Sequence, residues 1–257
     1  MQRELPILEM LAKGDEYFLP AVSVDNVIFG FHQDELKVLL LKAKHGNMWA
    51  LPGGYVFKDE EVDAAAARVL KDRTQLANLF LQQFYVFGSA KRTRLELSQE
   101  AFQNIEAELM KSKWLMQRFI SVGYYALVEY EKVKPLPDDF SSECSWHDLN
   151  NLPQLIFDHR EIIEKALLTM RLQLNNQPIG YNLLPREFTL KSLQSLYETI
   201  LGRKLDRGNF NRKMLGYDVL DKKEKHFTGG AHKAPYLYSF NKQKYFEALR
   251  NGLKRDF

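Results

Sequence analysis

The chain has little of what staples or anchors a protein. Its 257 residues include one cysteine, Cys144, so no internal disulfide can form and no Cys-x-x-Cys zinc cluster exists. No apolar run reaches the roughly 18 residues that a membrane span needs. The first residues carry Arg3, Glu4, Glu9 and Asp15, which leaves no apolar signal-peptide core. Glycine and proline number 14 and 9 and follow no period, which excludes collagen-like and low-complexity architectures. The composition is 45% hydrophobic, 12% aromatic and 27% charged, an ordinary globular balance. The length suits one large domain or two modest ones with a true core. A soluble cytoplasmic protein is the expectation.

The net charge of +3 conceals a division. From Pro178 onward there are 16 Lys and Arg against 8 Asp and Glu, which leaves 20 against 25 in residues 1–177. An acidic first part joined to a basic last part points to two tasks. The basic part is either a polyanion-binding surface or a solvated lysine-rich tail.

Along the chain, residues 1–19 read as an N-terminal leader with at most one helical turn. The run AVSVDNVIFGF and the following LKVLLLKA, separated by His32–Glu35, read as a hairpin. Trp49–Gly54 reads as a punctuated loop. A helix is expected from about Glu60 to Thr74, with Val62, Ala65, Ala66, Val69 and Leu70 at helical spacing. Strands are expected near 79–88 and 119–130. Between them, Ala101, Phe102, Ile105 and Leu109 share one face of an inserted amphipathic helix at about 95–115, which covers either its own core or a partner subunit. After Trp146 the pattern turns helical, with Ile162, Ile163, Ala166, Leu167 and Met170 on the buried face. The polar, broken stretch QLNNQPIG marks a domain boundary, giving domains at 20–175 and 178–257.

The block from Gly54 to Leu76 reads Gly54, five residues, Glu60, seven residues, Arg68, then Val-Leu-Lys-Asp-Arg-Thr-Gln-Leu. It resembles the Nudix box, G-x5-E-x7-R-E-U-x-E-E-x-G-U, with Gly54, Glu60, Arg68, Leu70 and Leu76 in register. The preceding Trp49-x-Leu51-Pro52-Gly53-Gly54 strengthens the likeness. The resemblance implies an α/β/α sandwich around a mixed sheet over roughly residues 20–170. In catalytic members glutamates on this helix hold Mg²⁺ against a diphosphate, because hard cations need several oxygen ligands. Here the three glutamate positions carry Val69, Asp72 and Arg73, and the box glycine is Gln75. Arg73 places a guanidinium where a metal ligand belongs. No catalytic residue, metal or cofactor is therefore expected, and what remains is a pocket for a small effector.

Four residues are candidates for that pocket: Asp25, Lys42, Gly53 and Gly54. Asp25 interrupts an apolar strand, where an unpaired charge is costly. It serves either the ligand or a structural hydrogen bond. In the family layout Lys42 points toward the glycine loop. The glycines also serve the turn itself. Arg68 is expected to fix its own helix through a carboxylate such as Glu60.

Residues 189–240 read as a winged helix-turn-helix. Thr189 caps a first helix with Leu190, Leu193, Leu196, Tyr197 and Ile200 buried and Gly202 at its end. Asp206 caps a second helix, RGNFNRKML, whose Phe210 and Met214 face inward. Gly208, Asn209 and Arg212 then face outward, flanked by Asn211 and Lys213. Arginine and asparagine can read guanine and adenine edges, and glycine permits close approach. YDVLD and YLYSF flank a hairpin tip bearing Lys222, Lys223, Lys225, His232 and Lys233, a wing suited to phosphates. Tyr236, Tyr238 and Phe240 read as strand packing. The alternative is a protein-interaction module with a basic surface.

Taken together, Pro178-Ile-Gly-Tyr-Asn-Leu-Leu-Pro, Phe188-Thr-Leu, Leu193-Gln-Ser-Leu-Tyr-Glu and Leu155-Ile-Phe-Asp-His closely resemble Nudix-related transcriptional regulators. One branch of these responds to ADP-ribose or related nucleotides and controls NAD biosynthesis. The other responds to arabinose, and the C-terminal wording leans toward it. The resemblance implies a homodimeric, ligand-responsive regulator that binds a double-stranded DNA operator and a sugar or ADP-ribose-like effector, without membrane association. The competing reading is a Mg²⁺-dependent hydrolase of a nucleoside diphosphate derivative such as ADP-ribose.

Overall fold

A computed structural model describes residues 7–44, 47–76, 79–90, 92, 114, 117–174, 180–225 and 234–251. They fall into two compact units, one of residues 1–29, 37–127 and 132–166, the other of residues 30–36, 128–131 and 167–257. The expected inserted helix at 95–115 lies, apart from Trp114, outside the described residues. None of the described helices is long and apolar enough to cross a membrane.

The stretch expected to be a leader forms a helix, α1 (Ile7–Tyr17), broken by non-helical angles at Lys13. What orders it lies far away in sequence. At its end Phe18 is buried and stacks on Phe57 at 4.8 Å and on Trp114 at 5.4 Å. Tyr55 and Phe119 complete this aromatic cluster. Local periodicity carried no trace of it.

The hairpin of β1 (Phe18–His32) and β2 (Glu35–Ala43) follows. Gln33 and Asp34 both have positive φ, 50° and 61°. Both central residues of a type I′ turn are left-handed, and that turn matches the twist of paired strands. Among the described residues the sheet has seven strands in the order β3-β2-β1-β6-β5, with β4 on β1 and β7 on β2. Its other members are β3 (Trp49–Ala50), β4 (Gly53–Phe57), β5 (Phe80–Phe87), β6 (Ile120–Val128) and β7 (Ser141–Asp148).

Three of these strands were not expected: the two-residue β3, which falls at the start of the stretch read as a loop, β4 and β7. β4 was read as the end of a loop because Gly53-Gly54 has weak strand propensity. Tertiary pairing overrides this, with Val24 opposite Gly54 and Asp25 opposite Gly53. β7 was read as leading into a helix, yet Trp146 sits inside it opposite Leu39. Its sequence, SSECSWHD, is polar and only half buried, so it lacks the apolar alternation that announces a strand.

Two helices cover the sheet. On α2 (Val62–Thr74), Ala65, Ala66 and Val69 pack with Val24, Val56 and Tyr124. Adjacent strand residues point to opposite faces, so Asp25 faces away from α2. There it meets His159 at the start of α3 (His159–Gln173). The result is the expected α/β/α sandwich.

The second unit holds the expected winged helix. It comprises β8 (Phe188–Thr189), α4 (Leu190–Leu201), α5 (Arg207–Gly216), β9 (Leu220–Lys225), β10 (Tyr236–Phe240) and α6 (Lys242–Asn251). The described strands pair in the order β8-β10-β9. Thr189 caps α4 by accepting from Ser192 N–H at 3.1 Å, and Asp206 caps α5 by accepting from Asn209 N–H at 2.8 Å. Gly202 ends α4 with φ 67°, a left-handed conformation that glycine adopts without a Cβ penalty. The buried residues Leu193, Leu196, Tyr197 and Ile200 on α4 and Phe210 and Met214 on α5 fall where periodicity placed them, whereas Leu190, expected in the α4 stripe, is only half buried at the helix start.

Candidate functional site

The helix with the Gly-x5-Glu-x7-Arg spacing is held by its own pair of opposite charges. Arg68 forks onto Glu60 with two bonds of 2.8 Å and donates to the carbonyl of Tyr55 at 2.9 Å. Glu60 also accepts from Phe57 N–H at 3.2 Å, and the guanidinium stacks on the Phe57 ring at 4.7 Å. This fork ties α2 to β4. Glu60 is thus committed to structure.

Two of the three positions where a metal-binding version of this helix would carry glutamates have no carboxylate, and Asp72 alone keeps one. Val69 is buried in the apolar cluster, and a Cβ on Gly54 would come 2.8 Å from its Cγ2. Arg73 donates to the carbonyl of Leu136 at 3.3 Å. The backbone carbonyls of Arg73 and Thr74 accept from Leu136 and Lys134, at 3.1 and 3.2 Å, so the 134–136 segment is fastened to the last turn of α2. Burial pushes the nearby Cys144 thiol up to about 12, where it is inert. Among the described residues no group of three or more His, Cys, Asp or Glu is placed to hold a metal. The described residues of α2 do not by themselves fit Mg²⁺, which wants several hard oxygen ligands. Gln75 follows the helix with φ 60° and ψ 17°. The glycine of the box would take that left-handed conformation at no steric cost.

The glycine loop is supported from beneath by a buried ionic cluster. Asp25 accepts from Arg92 at 2.8 Å and from the Ser121 hydroxyl at 2.5 Å. Arg92 also reaches Asp158 at 3.1 Å and the Phe87 carbonyl at 3.3 Å. His159 Nε2 lies 3.7 Å from Asp25, while its Nδ1 accepts from Leu51 N–H at 2.8 Å. An accepting Nδ1 carries no proton, so His159 is the neutral Nε2–H tautomer. Burial holds its pKa below the usual value, consistent with that state. Burial alone would raise the Asp25 carboxyl. A charge on the facing His159 would oppose this, but that ring is neutral, so the Arg92 guanidinium with the bonds from Ser121 and Arg92 holds the carboxyl below its ordinary value. With His159 neutral, Arg92 is the cation that matters.

Gly53 belongs to the same cluster, because a Cβ there would sit 2.6 Å from an Asp25 oxygen. Next to it, Asn26 binds the loop through Pro52 O and α2 through Ala66 O, both at 2.8 Å. Of the four effector candidates, Asp25, Gly53 and Gly54 therefore come together. Lys42 instead lies over the Trp49 ring at 5.8 Å. Sequence reasoning missed Arg92, Ser121 and His159. The cost of an unpaired Asp25 required a cation, but nothing local said which of the chain's cations it was.

In the second unit, Glu198 fixes the turn between α4 and α5. It accepts from Leu205 N–H, Gln194 and Lys204, each at 2.9 Å. The Leu205 N–H, with Lys204 and Gln194, brings its carboxyl down to about 2. On α5, Gly208, Asn209, Arg212 and Lys213 are exposed and Asn211 is half buried. Arg212 donates to Asn209 at 2.6 Å, so the two outward side chains are already oriented together. Lys222 and Lys223 are exposed on β9 and Lys225 is half buried. Lys222 and Lys225 both lie over Tyr236. His232 and Lys233 lie outside the described residues.

A family model described as the NUDIX domain matches residues 19–166. The chain belongs to the Nudix family. A second model, the NrtR DNA-binding winged helix domain, matches residues 180–240. The ADPR responsive transcriptional repressor NtrR of Acinetobacter baylyi is 28% identical over 249 residues, 94% of this chain and 90% of that protein. An ADP-ribose pyrophosphatase of Methanocaldococcus jannaschii is 31% identical over 157 residues, 60% of this chain and 77% of that protein. The crystal structure of Shewanella oneidensis NrtR complexed with a 27mer DNA superposes with a TM-score of 0.69 at 23% identity, covering 92% of this chain and 99% of that one. The chain thus has the fold of that protein, a Nudix domain followed by a winged helix domain.

Proposed function

We propose that this Nudix protein is an effector-responsive, DNA-binding transcriptional repressor whose Nudix domain recognises its ligand without hydrolysing it. One observation carries the reading. Of the three α2 positions of the metal ligands only Asp72 keeps a carboxylate, while the other two hold a buried valine and an arginine fastened to Leu136, whereas the winged helix keeps an exposed Asn–Arg face and a cationic wing. The chain-length likeness to an ADP-ribose-responsive repressor supports ADP-ribose as the effector to test first. The arabinose expectation has no counterpart among the relatives reported above. The likeness to an ADP-ribose pyrophosphatase supports the same ligand class and keeps the hydrolase reading as the one to be excluded.

In this reading Gly208, Asn209, Asn211, Arg212 and Lys213 enter the major groove, and Lys222, Lys223, Lys225, His232 and Lys233 contact phosphates. Gly53, Gly54 and Lys42 are the effector-facing candidates, with Asp25 supporting the Gly53 turn. The protein acts as a homodimer, because one recognition helix spans too few base pairs to define a unique site. The effector must bind the DNA-competent and DNA-incompetent states unequally, since otherwise no population shifts.

The test is fluorescence anisotropy of the full chain on duplexes tiling the region upstream of its own gene, with and without ADP-ribose and L-arabinose. One duplex is expected to bind specifically and to be released by ADP-ribose. Mg²⁺-dependent release of AMP from ADP-ribose that vanishes in Asp72→Ala, without any specific duplex, establishes the hydrolase instead.

A further inference from the structure

We propose that Tyr236 is a DNA-contacting residue of the wing, whose ring gathers Lys222 and Lys225 into one clamp for a backbone phosphate. The proposal rests on the DNA-binding reading above and goes beyond it. Tyr236, expected to be strand packing, is instead 39% exposed. The Lys222 Nζ lies 3.7 Å from its ring centroid and the Lys225 Nζ 5.4 Å.

Strand geometry alone does not bring these lysines together. Residues three apart on a regular strand point to opposite faces. The register explains the exception. Tyr236 pairs with Lys225 and Tyr238 with Lys222, so two steps along β10 are matched by three along β9. The extra residue is a β-bulge, a device that re-aims side chains. It turns both ammonium groups onto one aromatic face.

The chemistry of the cluster is that of an anion site. Two like charges share a small area, held there by the negative face of the ring. Neither lysine has a carboxylate partner and the Tyr236 hydroxyl has no hydrogen-bond partner among the described residues. A phosphate oxygen set between the ammonium groups relieves their repulsion and can accept from the phenol as well. The base of the wing is held independently. Asn241 donates to Asp221 at 3.2 Å and Lys244 to Asp218 at 2.8 Å, so the ring is not needed to keep the hairpin in place.

The experiment compares the full-length wild type with Tyr236→Leu, Tyr236→Phe, Lys222→Ala and the Tyr236→Leu/Lys222→Ala pair, on operator and scrambled duplexes across a range of salt. Tyr236→Leu is expected to weaken both duplexes alike, by about fivefold near 0.1 M salt, with a salt slope shallower by about one. Tyr236→Phe keeps the ring and is expected to keep the slope. Lys222→Ala is expected to lose less in the Tyr236→Leu background than alone, because the clamp is already open. Wild-type affinity and slope in Tyr236→Leu overturn the clamp. A loss confined to the operator at unchanged slope also overturns it, since that is base reading. Additive losses in the pair do the same. A wild type that binds no duplex overturns the DNA-binding reading and the clamp with it. Thermal melting of Tyr236→Leu at the wild-type temperature separates these effects from unfolding.

Discussion

Replacing Asp25 by alanine strands a buried guanidinium. Arg92 is 6% exposed at its side chain, and Asp25 provides its shortest bond, 2.8 Å. After the substitution Arg92 keeps Asp158 at 3.1 Å and the Phe87 carbonyl at 3.3 Å. Removing one partner of a buried ion pair costs about 3–5 kcal/mol, chiefly because the remaining charge is left uncompensated. The retained Asp158 contact places this case toward the lower end, near about 3 kcal/mol. Asp25→Ala/Arg92→Met removes both charges and is expected to cost less than Asp25→Ala alone. The same logic couples Asp25 to Gly53. Gly53→Ala puts its Cβ 2.6 Å from the Asp25 oxygen in the wild type; that clash goes once Asp25 is alanine, although a tight 3.1 Å approach to the Val24 carbonyl stays. Urea unfolding followed by tryptophan fluorescence reads the right unit, because Trp49, Trp114 and Trp146 all belong to the first one. A loss below about 1 kcal/mol, or a double variant less stable than Asp25→Ala, refutes the account of Arg92 as the compensating charge. The pH dependence has a definite sign. The folded Asp25 carboxyl lies below its unfolded value of 3.8, so its contribution is present above that pH and is lost as pH falls through the folded value. The acid limb of the stability curve should flatten in the alanine variant.

Other substitutions isolate single features. Gln75→Gly, at φ 60°, is expected to stabilise the first unit by about 0.5–1 kcal/mol in the same urea assay, since glycine adopts that conformation without a Cβ penalty. Glu198→Gln should speed amide exchange at Leu205 and weaken specific DNA binding. The wild-type carboxyl titrates at about 2 against an ordinary 4.5, so its contribution holds above pH 4.5 and fades as pH falls toward 2. Arg212→Ala should weaken the specific duplex by about 1–3 kcal/mol, whereas Lys223→Ala should lower affinity for every duplex and reduce the salt slope, both read by anisotropy.

The site was legible in proportion to how local its logic is. The α2 departures, Val69, Arg73 and Gln75, stand in the sequence and needed only the spacing from Gly54 to be read. Glu60 and Arg68, eight residues apart, were paired correctly because a helix start and its second turn are near neighbours. Tyr236 was misjudged, since its exposure depends on a bulge that no propensity announces. β4 and β7 were missed because pairing partners far away in the chain, as Asp25 is from Gly53 and Lys37 from Asp148, override weak local preference.

Helical periodicity, caps and the box spacing act over one or two turns of chain, so α2, α4 and α5 and their buried stripes follow from residue order. Which charges meet is a question of distance through space. Asp25 lies 67 residues from Arg92 and 96 from Ser121 in the chain; the pairing of β1 with β6 brings Ser121 within bonding range, and the turn beyond β5 brings Arg92. An apolar strand can demand a partner for its carboxylate, but folding selects it.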